Sequence, residues 1–202
     1  ELLVREFYGI ISMVTSGFGA ADALYCGLAD WYLDSSKLAI LDEKLDQMEW
    51  QDTPLKSLQN LLAKHAVQTL PDAPLEALRP AIDHFFALPD VPSMVEQLRA
   101  VTVANSHEWA TTTADLLETR SPLAMAVTLE MLRLGRHLSL EQCFALELHL
   151  DRQWFARGDL IEGVRALLID KDKTPRWNPP NLAALDAGHV ASFFQGFAES
   201  GS

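Results

Sequence analysis

Lys171, Lys173 and Arg176 place three cations beside Trp177 in the stretch EGVRALLIDKDKTPRW, residues 162–177. Cations following a helix end complement its dipole and can face an anion, and an indole offers a flat stacking surface. The run is interleaved with Asp170 and Asp172. Alternating charges of this kind also serve simply as a solvated helix terminus. Both readings fit the residues. Glu147 and Asp151 are four apart, so on a helix they share a face, as a general acid/base pair would or as an ordinary acidic surface does. Arg152 and Arg157 lie close enough in sequence to moderate that acidity.

Other reactive spacings are missing. His65, His84, His107, His137, His149 and His189 form neither HxxxH nor HExxH, the helical spacings that bring two imidazoles to one zinc ion. His107-Glu108 lacks a second histidine four residues on. No serine sits in GxSxG, and no glycine run has the form of a phosphate-cradling loop. Ser16-Gly17-Phe18-Gly19 follows no clear parallel strand and reads as a turn. The residues therefore support no metal site and no catalytic residue.

The elements that must position these groups read almost entirely as helix. ADALYCG ends at Gly27, and Asp34-Ser35-Ser36 caps a helix with Leu38, Leu41 and Leu45 at helical spacing. LADWYL, residues 28–33, is the one strand-like piece. Asp52 or Thr53 before Pro54 starts a helix with Leu55, Leu58, Leu61 and Leu62 in a stripe. Asp72 and either Asp90 or Ser93 cap the next two. ANSHEWATTTADLLETR is helical by apolar spacing in spite of three threonines. Ser121-Pro122 opens a helix ended by Gly135, and Ser139 with Gln142 forms a capping box for a helix through Phe155. In that helix Cys143, Leu146, Leu150 and Trp154 share a face, and Gly158 closes it. Leu160, Val164, Leu167 and Leu168 are expected to point inward before Thr174-Pro175 stops the last long unit. Val190, Phe193, Phe194 and Phe197 offer a final apolar face.

The fold class is thus mainly α, with at most one short strand near 29–33. Residues 1–19 read as the remnant of an upstream core. Residues 20–51 are a helix, short strand and helix leading into a helical region over 52–197, and 198–202 is a frayed tail. With 202 residues, 49% of them hydrophobic, the chain can bury a substantial core. A net charge of -12 repels a phosphate backbone, so no nucleic-acid partner is expected. No apolar run is long enough to suggest a membrane span. Cys26 and Cys143 read as free thiols in a reducing compartment.

EGVRALLIDKDKTPRWNP at 162–179, AADALYCGLADWYLDSSKL at 20–38, RSPLAMAVTLEMLRLG at 120–135 and LSLEQCFALELHLDRQWFARGDLIEGVRA at 138–166 together resemble the 3-hydroxyisobutyryl-CoA hydrolases of the enoyl-CoA hydratase/isomerase, or crotonase, superfamily. The resemblance implies the C-terminal helical portion of an acyl-CoA thioester hydrolase in valine degradation. Its oxyanion-hole amides and catalytic carboxylates would lie upstream, in a missing N-terminal crotonase core, leaving this chain inactive alone. Enoyl-CoA hydration or isomerisation, and a noncatalytic helical interaction domain, are the alternatives. Coenzyme A would belong to the substrate, with no separate cofactor. Lys171, Lys173, Arg176 and Trp177 would then lie near the CoA entrance or order the terminal turn. A homo-oligomer, in the cytoplasm or mitochondrial matrix, completes these expectations.

Overall fold

A computed structural model describes residues 19–48, 50, 53–70 and 72–197. The expected remnant over 1–19, apart from Gly19, and the tail at 198–202 lie outside the described residues, as do Ser16, Gly17, Phe18 and Asp52. The chain divides into two compact units, one reaching to Pro80 and one running from Ala81.

In the first unit, α1 (Ala20–Tyr25) ends as its sequence predicts. Gly27 takes φ 68°; its N–H donates to Leu24 O at 3.1 Å and the Leu28 N–H donates to Ala23 O at 2.9 Å. These two bonds satisfy carbonyls that the helix end leaves open, and only glycine takes the left-handed turn without strain. A single 3₁₀ turn, Ser35–Lys37, is capped by Asp34 and leads into α2 (Leu38–Asp46). Helix α3 (Pro54–His65) starts at its proline after Thr53. Its leucine stripe is shallow: Leu55 is exposed and Leu58, Leu61 and Leu62 are half-buried.

LADWYL forms no strand. It bends at Leu28 and Asp30 with no ladder beside it; the Leu28 and Ala29 N–H groups turn back to Ala23 O, and Tyr32 O accepts from the Val67 N–H at 2.8 Å. A strand needs a neighbouring strand to satisfy alternate amides, and the described residues contain none. Helix α4 (Pro74–Phe85) also departs from expectation at its start. Its Leu75 N–H donates to Asp22 Oδ1 at 3.0 Å rather than to Asp72, so a buried carboxylate 53 residues upstream serves as the cap.

In the second unit, α5 (Val91–Arg99) is capped by Asp90, which accepts from the Ser93 N–H at 2.8 Å. That hydrogen bond holds the Asp90 carboxyl below the usual range. Helix α5 packs on α6 (Ala104–Thr119), where buried Ala110, Ala114 and Leu117 recur at helical spacing. Burial of that stripe outweighs the weak helix propensity of Thr111, Thr112 and Thr113. Arg99 ties the pair by reaching Asp115 and Glu118, each at 2.6 Å.

Helix α7 (Pro122–Gly135) and α8 (Leu140–Arg157) carry the main core. Leu123, Val127, Leu146, Leu150 and Phe193 are buried together, with Trp154, Val190, Phe194 and Phe197 packed around them. The capping box is formed: Gln142 N–H donates to Ser139 Oγ at 3.2 Å, and Ser139 N–H donates to Gln142 Oε1 at 2.7 Å. Arg157 does not moderate the acidic pair as expected. It donates to Ser192 Oγ and O at 2.8 and 2.6 Å and lies 4.6 Å from the Phe193 ring centroid, fastening α8 to the segment after α10 (Ala187–Ser192) begins.

Helix α9 (Leu160–Val164) continues into a widened turn, Arg165–Ile169, whose last bond runs from the Asp170 N–H to Arg165 O at 2.8 Å. This i→i+5 spacing breaks the 3.6-residue period on which an inward apolar face depends. Leu167 and Leu168 accordingly do not point inward: each is 62% exposed, and Ala166 is the buried residue of the turn; Leu160 and Val164, in the regular helix before it, are also exposed rather than inward.

Candidate functional site

The segment after that turn, residues 170–178, forms a strap whose charges are sorted. Arg165 gathers the acids. It donates through Nη2 to Glu162 Oε1 at 2.7 Å and through Nη1 to Asp170 Oδ2 at 2.6 Å and Asp172 Oδ2 at 2.7 Å. Its Nη2 also reaches Thr174 O at 3.2 Å. The Arg176 N–H donates to Glu162 Oε1 at 2.7 Å. Hydrogen bonds from Arg165, then from the Arg176 amide, hold Glu162 down to about 2; Arg165, and after it the Thr174 amide, lower Asp172; and Glu162 foremost raises Arg165.

With Asp170 and Asp172 turned to Arg165, the alternating partners Lys171 and Lys173 are left without an ion pair among the described residues. Both adopt φ 56°. The left-handed region costs a side-chain-bearing residue about 1–2 kcal/mol. Two such lysines in one short run are therefore held there by the surrounding bonds. The Lys173 N–H donates to Ala166 O at 3.0 Å and the Thr174 N–H donates to Asp172 Oδ1 at 2.9 Å.

Further along, the strap is pinned to the body. The Trp177 indole N–H donates to Thr119 O at 3.0 Å, and the Asn178 N–H donates to Asp159 Oδ1 at 3.0 Å. Asp159 is buried, and its other oxygen accepts from Ser121 Oγ at 2.5 Å. Ser121 Oγ in turn accepts the Ala124 N–H at 3.0 Å and so caps α7. One serine hydroxyl thus links a helix start, a buried carboxylate and the strap.

Between the strap, α7, α8 and α9 lies a cleft of about 690 Å³, whose lining includes the apolar Trp154, Leu160, Val164, Leu168 and Trp177 and the charged Arg120, Asp159 and Lys173. Trp177 packs over Gly163, where a β carbon would stand 3.4 Å from the ring, at ordinary van der Waals contact. Of the four residues singled out from sequence, the cleft brings together Lys173 and Trp177; Lys171 and Arg176 lie outside its lining. Sequence reasoning missed Arg165, Asp159, Ser121 and Thr119. Glu162 three residues before Arg165 was a readable helical pair, but partners five and seven residues on require the widened turn.

A second cleft of about 640 Å³ borders Val91, Leu134 and Phe194, and its Arg133 already donates to Leu88 O and Pro89 O at 3.2 and 2.7 Å. Glu147 and Asp151 are exposed on the outer face of α8. Two of the imidazoles serve structure: His149 Nε2 lies 2.9 Å from Phe193 O and His107 Nδ1 2.6 Å from Val101 O. Among the described residues no group of three or more potential metal ligands comes together, and no helix is long and apolar enough to cross a membrane. Cys26 and Cys143 are free thiols; burial pushes Cys26 up, with Asp22 adding to it.

Comparisons with known proteins agree on one family. A family model described as enoyl-CoA hydratase/isomerase matches residues 9–194. The 3-hydroxyisobutyryl-CoA hydrolase-like protein 1, mitochondrial, of Arabidopsis thaliana is 30% identical over 193 residues, covering 94% of this chain and 47% of that protein. Small ribosomal subunit protein mS47 of the same plant is 27% identical over 189 residues, covering 91% and 46%. Among solved structures, a carnitinyl-CoA dehydratase from Mycobacterium thermoresistibile superposes with a TM-score of 0.79 at 29% identity, over 100% of this chain and 56% of that one. The chain spans about half the length of the curated relatives it matches, and the matched part is their C-terminal portion. Mainly helical, and matched over most of its length, the chain belongs to the enoyl-CoA hydratase/isomerase family.

Proposed function

We propose that this chain is the C-terminal helical part of a CoA-thioester hydrolase acting on 3-hydroxyisobutyryl-CoA. In this reading the strap of Lys171, Lys173, Arg176 and Trp177 meets the CoA moiety. The observation that carries the binding role is the sorting of charge in DKDK, where the acids are spent on Arg165 and the ammonium groups remain unpaired. In a chain of net charge -12, two unpaired ammonium groups on strained backbone are a place for phosphate oxygens. The names of two relatives, a mitochondrial 3-hydroxyisobutyryl-CoA hydrolase-like protein of Arabidopsis thaliana and a mitochondrial 3-hydroxyisobutyryl-CoA hydrolase of Danio rerio, support the substrate and a mitochondrial setting.

Hydrolysis joins a water oxygen to the thioester carbonyl carbon and breaks the carbon–sulfur bond, and the departing thiolate takes up a proton. The strap's share is binding and orientation of CoA. The oxyanion donors and carboxylates for the chemical step belong to the N-terminal core of the family, so the 202-residue chain by itself is expected to release no CoA. The same binding role would serve hydration of an enoyl-CoA, the activity for which the similar Rhodobacter sphaeroides protein is named.

The test measures CoA affinity by calorimetry for this chain and for K171A/K173A/R176A, with thiol release from 3-hydroxyisobutyryl-CoA and crotonyl-CoA hydration followed in parallel. Loss of CoA affinity in the triple variant with unchanged helicity supports the role. Equal affinity in both proteins refutes it, and thiol release by this chain alone refutes the division of labour.

A second reading, a noncatalytic helical interaction domain, is favoured by the outer face of α8. Leu140, Phe144, Leu148 and Phe155 are all exposed there along one side of the helix. The relative named as a ribosomal subunit protein supports a binding rather than catalytic use of the scaffold.

A further inference from the structure

The cleft under the strap has a composition that phosphate binding does not explain. Its volume, about 690 Å³, lies in the range of small-molecule sites. Apolar side chains make most of the wall, with Trp154 and Trp177 beside Leu160, Val164 and Leu168. Leu168 is 62% exposed, and Leu160 and Val164 remain partly open, so the apolar wall faces solvent. A polyanion gains nothing from such a wall, whereas an aliphatic chain gains about 25 cal/mol for every Å² it covers.

Two cations line the cleft, Arg120 and Lys173, with Asp159 and three hydroxyl side chains, and their states differ. Arg120 has a partner of its own. Asp159 is engaged at both oxygens, by the Asn178 amide and the Ser121 hydroxyl. Among the described residues Lys173 has no ion-pair partner, and it is placed at the rim by a backbone conformation that lysine rarely adopts. A single unpaired ammonium suits one negative charge.

We infer that this cleft binds an amphipathic monoanion, a carboxylate on a medium-length aliphatic chain. The chain lies against Trp154, Trp177 and the α9 wall, and the carboxylate meets Lys173. The inference stands on the cleft and is independent of thioester turnover; a free carboxylate offers no carbon–sulfur bond to break.

The experiment titrates decanoate, decanol, butyrate and inorganic phosphate into the 202-residue chain, by calorimetry and by quenching of tryptophan emission. Three variants accompany it: Lys173→Glu at the head, Val164→Trp to fill the cleft, and Leu168→Glu at a wall position that is 62% exposed. Decanoate is expected to saturate one site, with butyrate and phosphate about tenfold weaker or more. Lys173→Glu should weaken decanoate about tenfold and leave decanol unchanged, and each wall variant should weaken both. The inference is overturned if decanoate fails to saturate, if decanol binds as tightly as decanoate, if phosphate matches decanoate, or if Leu168→Glu leaves decanoate affinity unchanged. CoA is absent from every titration, so failure of decanoate to bind would leave the CoA reading standing, and phosphate matching decanoate at Lys173 would favour that reading over this one.

Discussion

Replacing Ser121 by alanine removes one oxygen that does two things. As a cap it accepts the Ala124 N–H at 3.0 Å, a role worth about 1 kcal/mol. As a donor it reaches the buried Asp159 carboxylate at 2.5 Å, and a hydrogen bond to a charged group contributes about 1.5–3 kcal/mol. The expected cost is therefore about 2.5–4 kcal/mol, at the upper end of ordinary single substitutions. Asp159→Ala removes the same bond and also frees the Asn178 N–H, at a cost of about 3 kcal/mol. Because the Ser121–Asp159 bond is lost in either variant, the double variant should cost less than the sum by about 1.5–3 kcal/mol. Urea unfolding followed by tryptophan emission reads these differences as midpoint shifts at constant slope. A cost for Ser121→Ala below about 1 kcal/mol, or strict additivity in the cycle, would refute the reasoning, since the buried bond would then contribute nothing.

Gly158→Ala tests the packing of Trp154. A β carbon there would meet the indole Cε3 at 2.2 Å and drive it from Phe193, whose ring centroid is 4.6 Å away. The expected loss is about 1–3 kcal/mol in thermal or urea unfolding, and unchanged stability would contradict the contact. Acid titration tests the strap. Glu162 is depressed to about 2 and Asp172 is lowered in the same direction. Their contribution is fully present above the unfolded value near ~4.3 and is lost as pH falls from there toward about 2. Trp177 emission should therefore hold steady above about pH 5 and change on the way to pH 2, and Glu162→Gln should remove that change; a midpoint near ~4.3 in the parent chain would show that Arg165 does not clamp these acids.

Local chemistry made much of the helical layout legible. Gly27, the Ser139–Gln142 box and Ser121 before Pro122 act through neighbours within a few residues, so their types alone specify the backbone there. The shared face of Leu146, Leu150 and Trp154 follows from helical spacing, and the structure buries the two leucines and packs Trp154 against them. The threonines of α6 were a warning from propensity that packing overcame. Leu167 and Leu168 were misread because the inward assignment assumed a regular helix, and the widened turn after Val164 rotates them outward.

The candidate site was legible in kind and illegible in arrangement. Lys171, Lys173, Arg176 and Trp177 stand out by composition, yet nothing local says that the aspartates between the lysines turn to Arg165. The amino-acid sequence by itself determined where helices start and stop, because capping, proline placement and glycine turns are satisfied within a few residues. Only the tertiary structure decided that Asp22 caps α4 from 53 residues away, that Ser121 and Asp159 meet across 38 residues, and that Lys173 and Trp177 border one cleft. Those partners are chosen by burial and distance, and a buried carboxylate takes whichever donors the packed helices bring within reach.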